Sequence, residues 1–199
     1  MTDPKVNSIL DEGNRLFLQG KFQQAIVYYD KILDECPKHI SSLNNKGYAL
    51  SKLKDFTNAM KCYDLALDIC PDDLSVLINK ISSFRKQGNL IEALSICDNI
   101  LKNNSNYNVV LYHKERILFS MNKFDESISC CNSILEDYPD NVDVLFDKAS
   151  NFAMLSNFDG ALDLLERTIS QGIQYKIKAK KSKSFENLSD NVRFQNLIS

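Results

Sequence analysis

Apolar residues recur along this chain with the period of an α-helix. In residues 40–73, ISSLNNKGYALSKLKDFTNAMKCYDLALDICPDD, Leu43 and Leu50 are followed by Phe56, Ala59, Tyr63 and Ala66. Within each set the spacing is three, four or seven, which puts the residues on one helix face. Lys54-Asp55 forms a short polar turn between the sets. Pro71 closes the stretch, since proline lacks the amide and disfavours a helical residue before it. The pattern predicts two helices here, near 40–53 and 57–70.

The same frame returns every 34 residues without insertion. Ala59 has counterparts at Ala25, Ala93, Ser127 and Ala161, Leu43 at Ile9, Leu77, Leu111 and Leu145, and Phe56 at Phe22, Leu90, Phe124 and Phe158. Pro71 recurs as Pro37 and Pro139, whereas Ser105 and Ile173 stand at that place in the third and fifth copies. First helices are expected near 6–19, 40–53, 74–87, 108–121 and 142–155, and second helices near 23–35, 57–70, 91–103, 125–137 and 159–170. Asp55, Asn89 and Asn157 sit where caps or turns are wanted.

With Leu43, Gly47, Leu50, Ala59, Tyr63 and Pro71 in these places, the chain resembles the tetratricopeptide repeat (TPR) family, whose pattern is W-x2-L-G-x2-Y, A-x3-F, P. Gly13, Ala25, Tyr29 and Pro37 match one repeat earlier. No Trp is present, and Ile81, Glu115 and Ala149 replace the glycine in later repeats. The resemblance covers roughly residues 6–175. It implies an all-α, right-handed α-α superhelix of five TPR helix pairs (6–39, 40–73, 74–107, 108–141, 142–175), with residues 176–199 as a C-terminal helical cap. Physically, small residues at Gly47 and Ala59 let paired helices approach closely. One pair alone cannot bury its apolar face, so stacking supplies the core.

Composition narrows the function. The chain has 24 basic and 26 acidic residues, a mildly acidic balance that argues against a general grip on nucleic acid. No apolar run approaches the ~20 residues needed to span a bilayer, and MTDPKVNSILDEG is unlike a signal peptide. The expectation is therefore a cytoplasmic protein with no membrane role. Cys36, Cys62, Cys70, Cys97, Cys130 and Cys131 contain no C-x-x-C pair and are expected to pack as small buried hydrophobes.

TPR proteins commonly line a concave groove with their first helices. The resemblance thus points to Asn14, Asn45, Tyr48, Asn79, Arg85, Tyr112, His113, Arg116 and Phe146 as a protein-binding groove, with Phe17, Asn44 and Asp147 beside them. Tyr, Phe and Arg are types enriched at binding hot spots. Arg85 and Arg116 are also able to receive a carboxylate. Asn14 and Asn45 match the asparagines of the carboxylate clamp of certain TPR co-chaperones. Leu10, Ser75 and Asn79, however, replace its charged donors, so clamp-type binding is not expected.

His113 and Asp147, one repeat apart, would allow a polar contact, but no nucleophile motif, phosphate loop or metal-ligand spacing accompanies them. The reading is a non-enzymatic interaction module without cofactors or metal. It would bind a peptide or protein in the groove or, alternatively, another copy of itself as a homo-oligomer.

The tail changes character. Residues 1–175 hold 18 basic and 24 acidic side chains, and residues 176–199 hold 6 and 2. Phe185, Leu188 and Phe194 are expected to cover Leu162, Leu165 and Ile169 of the last repeat, leaving Lys176, Lys178, Lys180, Lys181 and Lys183 facing water.

Overall fold

The computed structural model describes residues 4–103 and 107–199. Ser105, at the position of the repeat proline, lies outside the described residues. Helix pairs follow one another: α1 (Pro4–Leu18) with α2 (Phe22–Glu35), α3 (Ile40–Lys52) with α4 (Phe56–Ile69), and α5 (Leu74–Gln87) with α6 (Leu90–Asn103). Then come α7 (Asn108–Ser120) with α8 (Phe124–Asp137) and α9 (Val142–Met154) with α10 (Phe158–Ser170). Every boundary falls within two residues of the expected one. The chain ends in α11 (Ile173–Lys181), a 3₁₀ turn (Lys183–Leu188) and α12 (Val192–Ile198).

The turn inside each pair is built the same way. Gly20, Lys54, Gly88, Asn122 and Ser156, one period apart, all have positive φ, between 59° and 89°. The next amide reaches back to a carbonyl in the last turn of the helix, as in Asp55 N–H to Leu50 O at 2.9 Å and Asn157 N–H to Phe152 O at 2.9 Å. This left-handed closure satisfies orphan carbonyls and reverses the chain within a short turn. Asp55 and Asn157 do cap α4 and α10 through their side chains, and His39, Asp73 and Asn141 cap α3, α5 and α9 in the same manner.

The chain divides into two compact units, Met1–Ile96 and Cys97–Ser199. In the first unit, Tyr29 and Tyr63 are fully buried across their repeat glycines. A β-carbon on Gly47 would lie 2.7 Å from Tyr63 Cε1, so glycine there leaves the space the tyrosine ring occupies. Tyr63, Ser83 and Ser51 share a buried hydroxyl chain, with Tyr63 Oη and Ser83 Oγ 3.3 Å apart and Ser83 donating to Ser51 at 2.8 Å. Lys46 and Lys80 of the first helices pair with Asp30 and Asp64 of the preceding second helices at 2.5 and 2.6 Å.

The second unit continues that pairing with Lys114–Asp98 at 2.7 Å, but its core differs. Here Glu115 stands at the glycine position and Cys131 at the tyrosine position. Ala149 and Leu165 do so one repeat on, and all four are buried. Where the small residue grows, its large counterpart shrinks, keeping the filled volume roughly level.

At the chain end Phe185, Leu188 and Phe194 bury themselves against Ala161, Leu162 and Leu165, with Ile169 alongside. Two expectations need correcting. Phe146 is only 2% exposed, its ring 5.6 Å from that of Phe185 and 6.0 Å from that of Tyr175. It is therefore core beneath the cap, drawn inward because the cap brings aromatic partners over it. Lys178 does not simply face water: its ammonium lies 4.1 Å from the Phe146 ring centroid and 3.8 Å from Asp147. Among the cysteines Cys62, Cys97, Cys130 and Cys131 are buried as expected, whereas Cys70 is half-buried and Cys36 is exposed. It follows the last turn of α2, past the helix face that packs.

Candidate functional site

The first-helix faces carry the sequence-predicted residues in two separate groups, one in each unit. In the first unit, α1 places Asn14, Phe17 and Leu18, α2 places Tyr29, and α3 places Asn45 and Tyr48 around a pocket of about 290 Å³. Asn14 Oδ1 accepts from Tyr29 O–H at 3.0 Å and from Asn45 Nδ2 at 2.8 Å. Both lone pairs of that oxygen are used, and the amides are held in one orientation. The Asn14 amide donors and the Asn45 carbonyl oxygen keep no partner among the described residues.

Phe17 and Tyr48 stack with centroids 5.0 Å apart, and Phe17 meets Phe22 edge-on at 5.2 Å. Leu18 is 85% exposed beside them. An apolar wall thus meets a fixed amide donor and acceptor. One repeat on, Asn79 Nδ2 donates to Asn44 Oδ1 at 2.9 Å, continuing the asparagine contacts, while Arg85 is half-buried in the last turn of α5. A wider depression of about 730 Å³ on α1 includes Glu12 and Arg15. Those two charges neutralise one another at 2.6 Å, so it offers less to a ligand.

In the second unit the predicted groove residues are engaged with their own neighbours. The Arg116 guanidinium stacks 4.2 Å from the Tyr112 ring centroid and donates to Asp147 at 3.1 Å. Asp147 also receives Lys178, and Tyr175 O–H donates to Asp143 at 3.3 Å. Burial raises the Tyr112 hydroxyl above its ordinary value. His113 is half-buried on the same helix. Phe146, as described above, lies in the core.

Beneath this face lies Glu115, 2% exposed. Ser127 Oγ donates to its Oε1 at 3.1 Å and Asn151 Nδ2 to the same oxygen at 3.4 Å, while Oε2 has no hydrogen-bond partner among the described residues. Burial first, and then the charge of Asp147, push this carboxyl up to about 7 against the pull of the Ser127 hydrogen bond. The two departures from the repeat pattern, Glu for Gly and Ser for Ala, bond to each other. Burial also pushes the Cys97 thiol up to about 12 and that of Cys130 to about 11, which makes them poor nucleophiles.

Of the sequence-predicted residues, Asn14, Asn45 and Tyr48 line the pocket of the first unit, whereas Leu18, Lys52 and Lys86 beside it were missed. The lysines were detectable as a pair one period apart. Leu18 was detectable as an apolar residue immediately before a turn. Among the described residues no three His, Cys, Asp or Glu side chains gather as a metal site, and no helix is long and apolar enough to cross a membrane.

Consecutive antiparallel helix pairs in one 34-residue register define an α-α repeat protein. Residues 40–73 match the family model of the tetratricopeptide repeat, and the same 34-residue register runs through the other helix pairs. No curated protein matches the sequence. Among solved structures, a tetratricopeptide repeat protein from Parabacteroides merdae ATCC 43184 superposes with a TM-score of 0.74 at 18% identity, covering 99% of this chain and 84% of that one. YrrB, described as a TPR protein with an unusual peptide-binding site, gives 0.66 at 18% identity over 87% and 91%. The thermophilic TPR protein TTC0263 from Thermus thermophilus gives 0.69 at 16% identity over 88% and 97%. At such identities the likeness is one of fold.

Proposed function

We propose that the chain is a non-enzymatic interaction module that holds an extended peptide segment of a partner protein against the first-helix face of residues 1–96. The observation carrying this is the pocket at Asn14, Asn45, Phe17, Leu18 and Tyr48. It couples an unpartnered amide donor and acceptor, suited to one peptide unit, with an apolar socket for the adjoining side chain. Leu18 supports the reading, because an aliphatic side chain so fully exposed beside stacked aromatics gains most from being covered. YrrB, a TPR protein with an unusual peptide-binding site, has a similar fold.

The test is selection of a random seven-residue display library on the full chain. Enriched peptides should bind at micromolar affinity, and Leu18→Ser or Tyr48→Ala should each weaken them by roughly 10-fold. Urea unfolding of the Leu18 variant should match that of the parent. No enrichment, or binding indifferent to both changes, overturns the reading. Light scattering of the unliganded chain tests the alternative: a concentration-dependent dimer disrupted by Leu18→Ser would identify a second copy as the occupant.

A further inference from the structure

The charge on α3 and α5, the second and third of the first helices, is one-sided. Helices α3 and α5 together carry Lys46, Lys52, Lys80, Arg85 and Lys86 and no carboxylate at all, while α1 carries Asp11 and Glu12, the latter paired with Arg15. Lys46 and Lys80 are neutralised by Asp30 and Asp64. Lys52 and Lys86 have no ion pair and no hydrogen bond among the described residues. Instead, both ammonium groups converge on the ring of Tyr48, at 5.2 and 5.6 Å from its centroid. The same ring stacks with Phe17 in the pocket wall.

Placing two like charges at one ring without a counter-ion opposes stability unless something else gains from it. The favourable position of lysine at a helix C-terminus accounts for each cation singly, but not for their convergence on one aromatic. The same helix face in residues 97–199 makes the contrast: there Arg116 and Lys178 also sit over aromatic rings, and both have Asp147 as a partner. The face of residues 1–96 is left with an unmatched positive rim around an apolar socket.

We infer that the occupant of this pocket is an acidic linear peptide segment, with an aromatic or aliphatic side chain seated against Phe17, Leu18 and Tyr48 and an adjacent Asp or Glu carboxylate held between Lys52 and Lys86. This rests on the peptide-binding reading above and adds the chemistry of the partner. The lysines stand at the C-terminal ends of α3 and α5, away from Leu10, Ser75 and Asn79, where a carboxylate clamp would need its cations. The acid therefore belongs beside the anchoring side chain within the segment, and a terminal carboxylate is not required. Burial, then repulsion from Lys52 and Arg85, hold the Lys86 ammonium below its usual range, and a bound carboxylate relieves that repulsion.

The display selection is repeated on the full chain at low salt with capped peptides, in parallel with a Lys52→Gln/Lys86→Gln double variant. The parent should enrich sequences with Asp or Glu within two positions of a large apolar residue. The double variant should lose that acidic bias and bind the enriched peptides roughly 5- to 10-fold more weakly, with a shallower salt dependence. Enrichment of neutral or basic peptides by the parent overturns the acidic assignment and leaves the peptide-binding reading standing. An acidic bias that survives in the double variant overturns the role of the two lysines. No enrichment at all overturns both readings together.

Discussion

Glu115 turns the core of repeat four into a pH-sensitive contact, and its replacement by Gln isolates the effect. An exposed glutamate titrates near 4.5, whereas this one titrates at about 7 in the folded chain. The folded state therefore holds the proton more tightly than the unfolded state. The resulting stability is fully present below about pH 4.5 and is lost as pH rises through 7. Between pH 5 and pH 8 the loss amounts to roughly 2.5 kcal/mol. Glutamine keeps the Ser127 and Asn151 hydrogen bonds to the acceptor oxygen and cannot ionise. Urea unfolding followed by circular dichroism at several pH values should show the parent losing stability relative to Glu115→Gln by that amount, most steeply between pH 5 and 7. Parallel stability profiles would refute the reasoning, because a constant offset reports only on how well glutamine packs.

Other consequences follow from the packing. Gly47→Ala drives a β-carbon into the Tyr63 ring and should cost about 1–3 kcal/mol, seen as a lower urea midpoint for residues 1–96; an unchanged midpoint would mean the ring moves aside freely. Phe185→Ser with Phe194→Ser removes two buried rings from the cap and should cost at least ~3 kcal/mol and expose Phe146 to solvent, with aggregation at the chain end read by light scattering. Lys178→Gln removes the ammonium from the Phe146 ring and should cost about 0.5–1 kcal/mol, against no measurable change for Lys180→Gln or Lys181→Gln. Under native conditions a thiol reagent should label Cys36 rapidly and leave Cys97, Cys130 and Cys131 unmodified until the chain unfolds; labelling of Cys131 as fast as Cys36 would contradict the burial.

The sequence by itself determined the helices, their pairing and the turn chemistry, because each is a local matter repeated five times. Periodicity places the apolar faces, a residue at positive φ closes the turn inside each pair, capping side chains start α3, α4, α5, α9 and α10, and proline follows α2, α4 and α8. It also marked Asn14, Asn45 and Tyr48 as first-helix face positions, since their register is fixed by the same period. Only the tertiary structure decided which exposed-looking positions are exposed. Phe146 and Tyr48 occupy neighbouring places in the repeat pattern, yet Phe146 is sealed by Phe185 and Tyr175 arriving from the chain end, and Tyr48 remains on a pocket wall. Charge behaves in the same way. Composition shows near-balance, but whether a lysine is neutralised depends on which carboxylate the packing brings within reach: Lys46 meets Asp30, Lys178 meets Asp147, and among the described residues Lys52 and Lys86 meet an aromatic ring and no carboxylate. Glu115 is the sharpest case, because a glutamate at a glycine position reads as a mismatch until Ser127 and Asn151 are seen to fold around it. Local sequence sets direction along the helix, and long-range packing sets solvation, so burial, ion pairing and pKa had to wait for the fold.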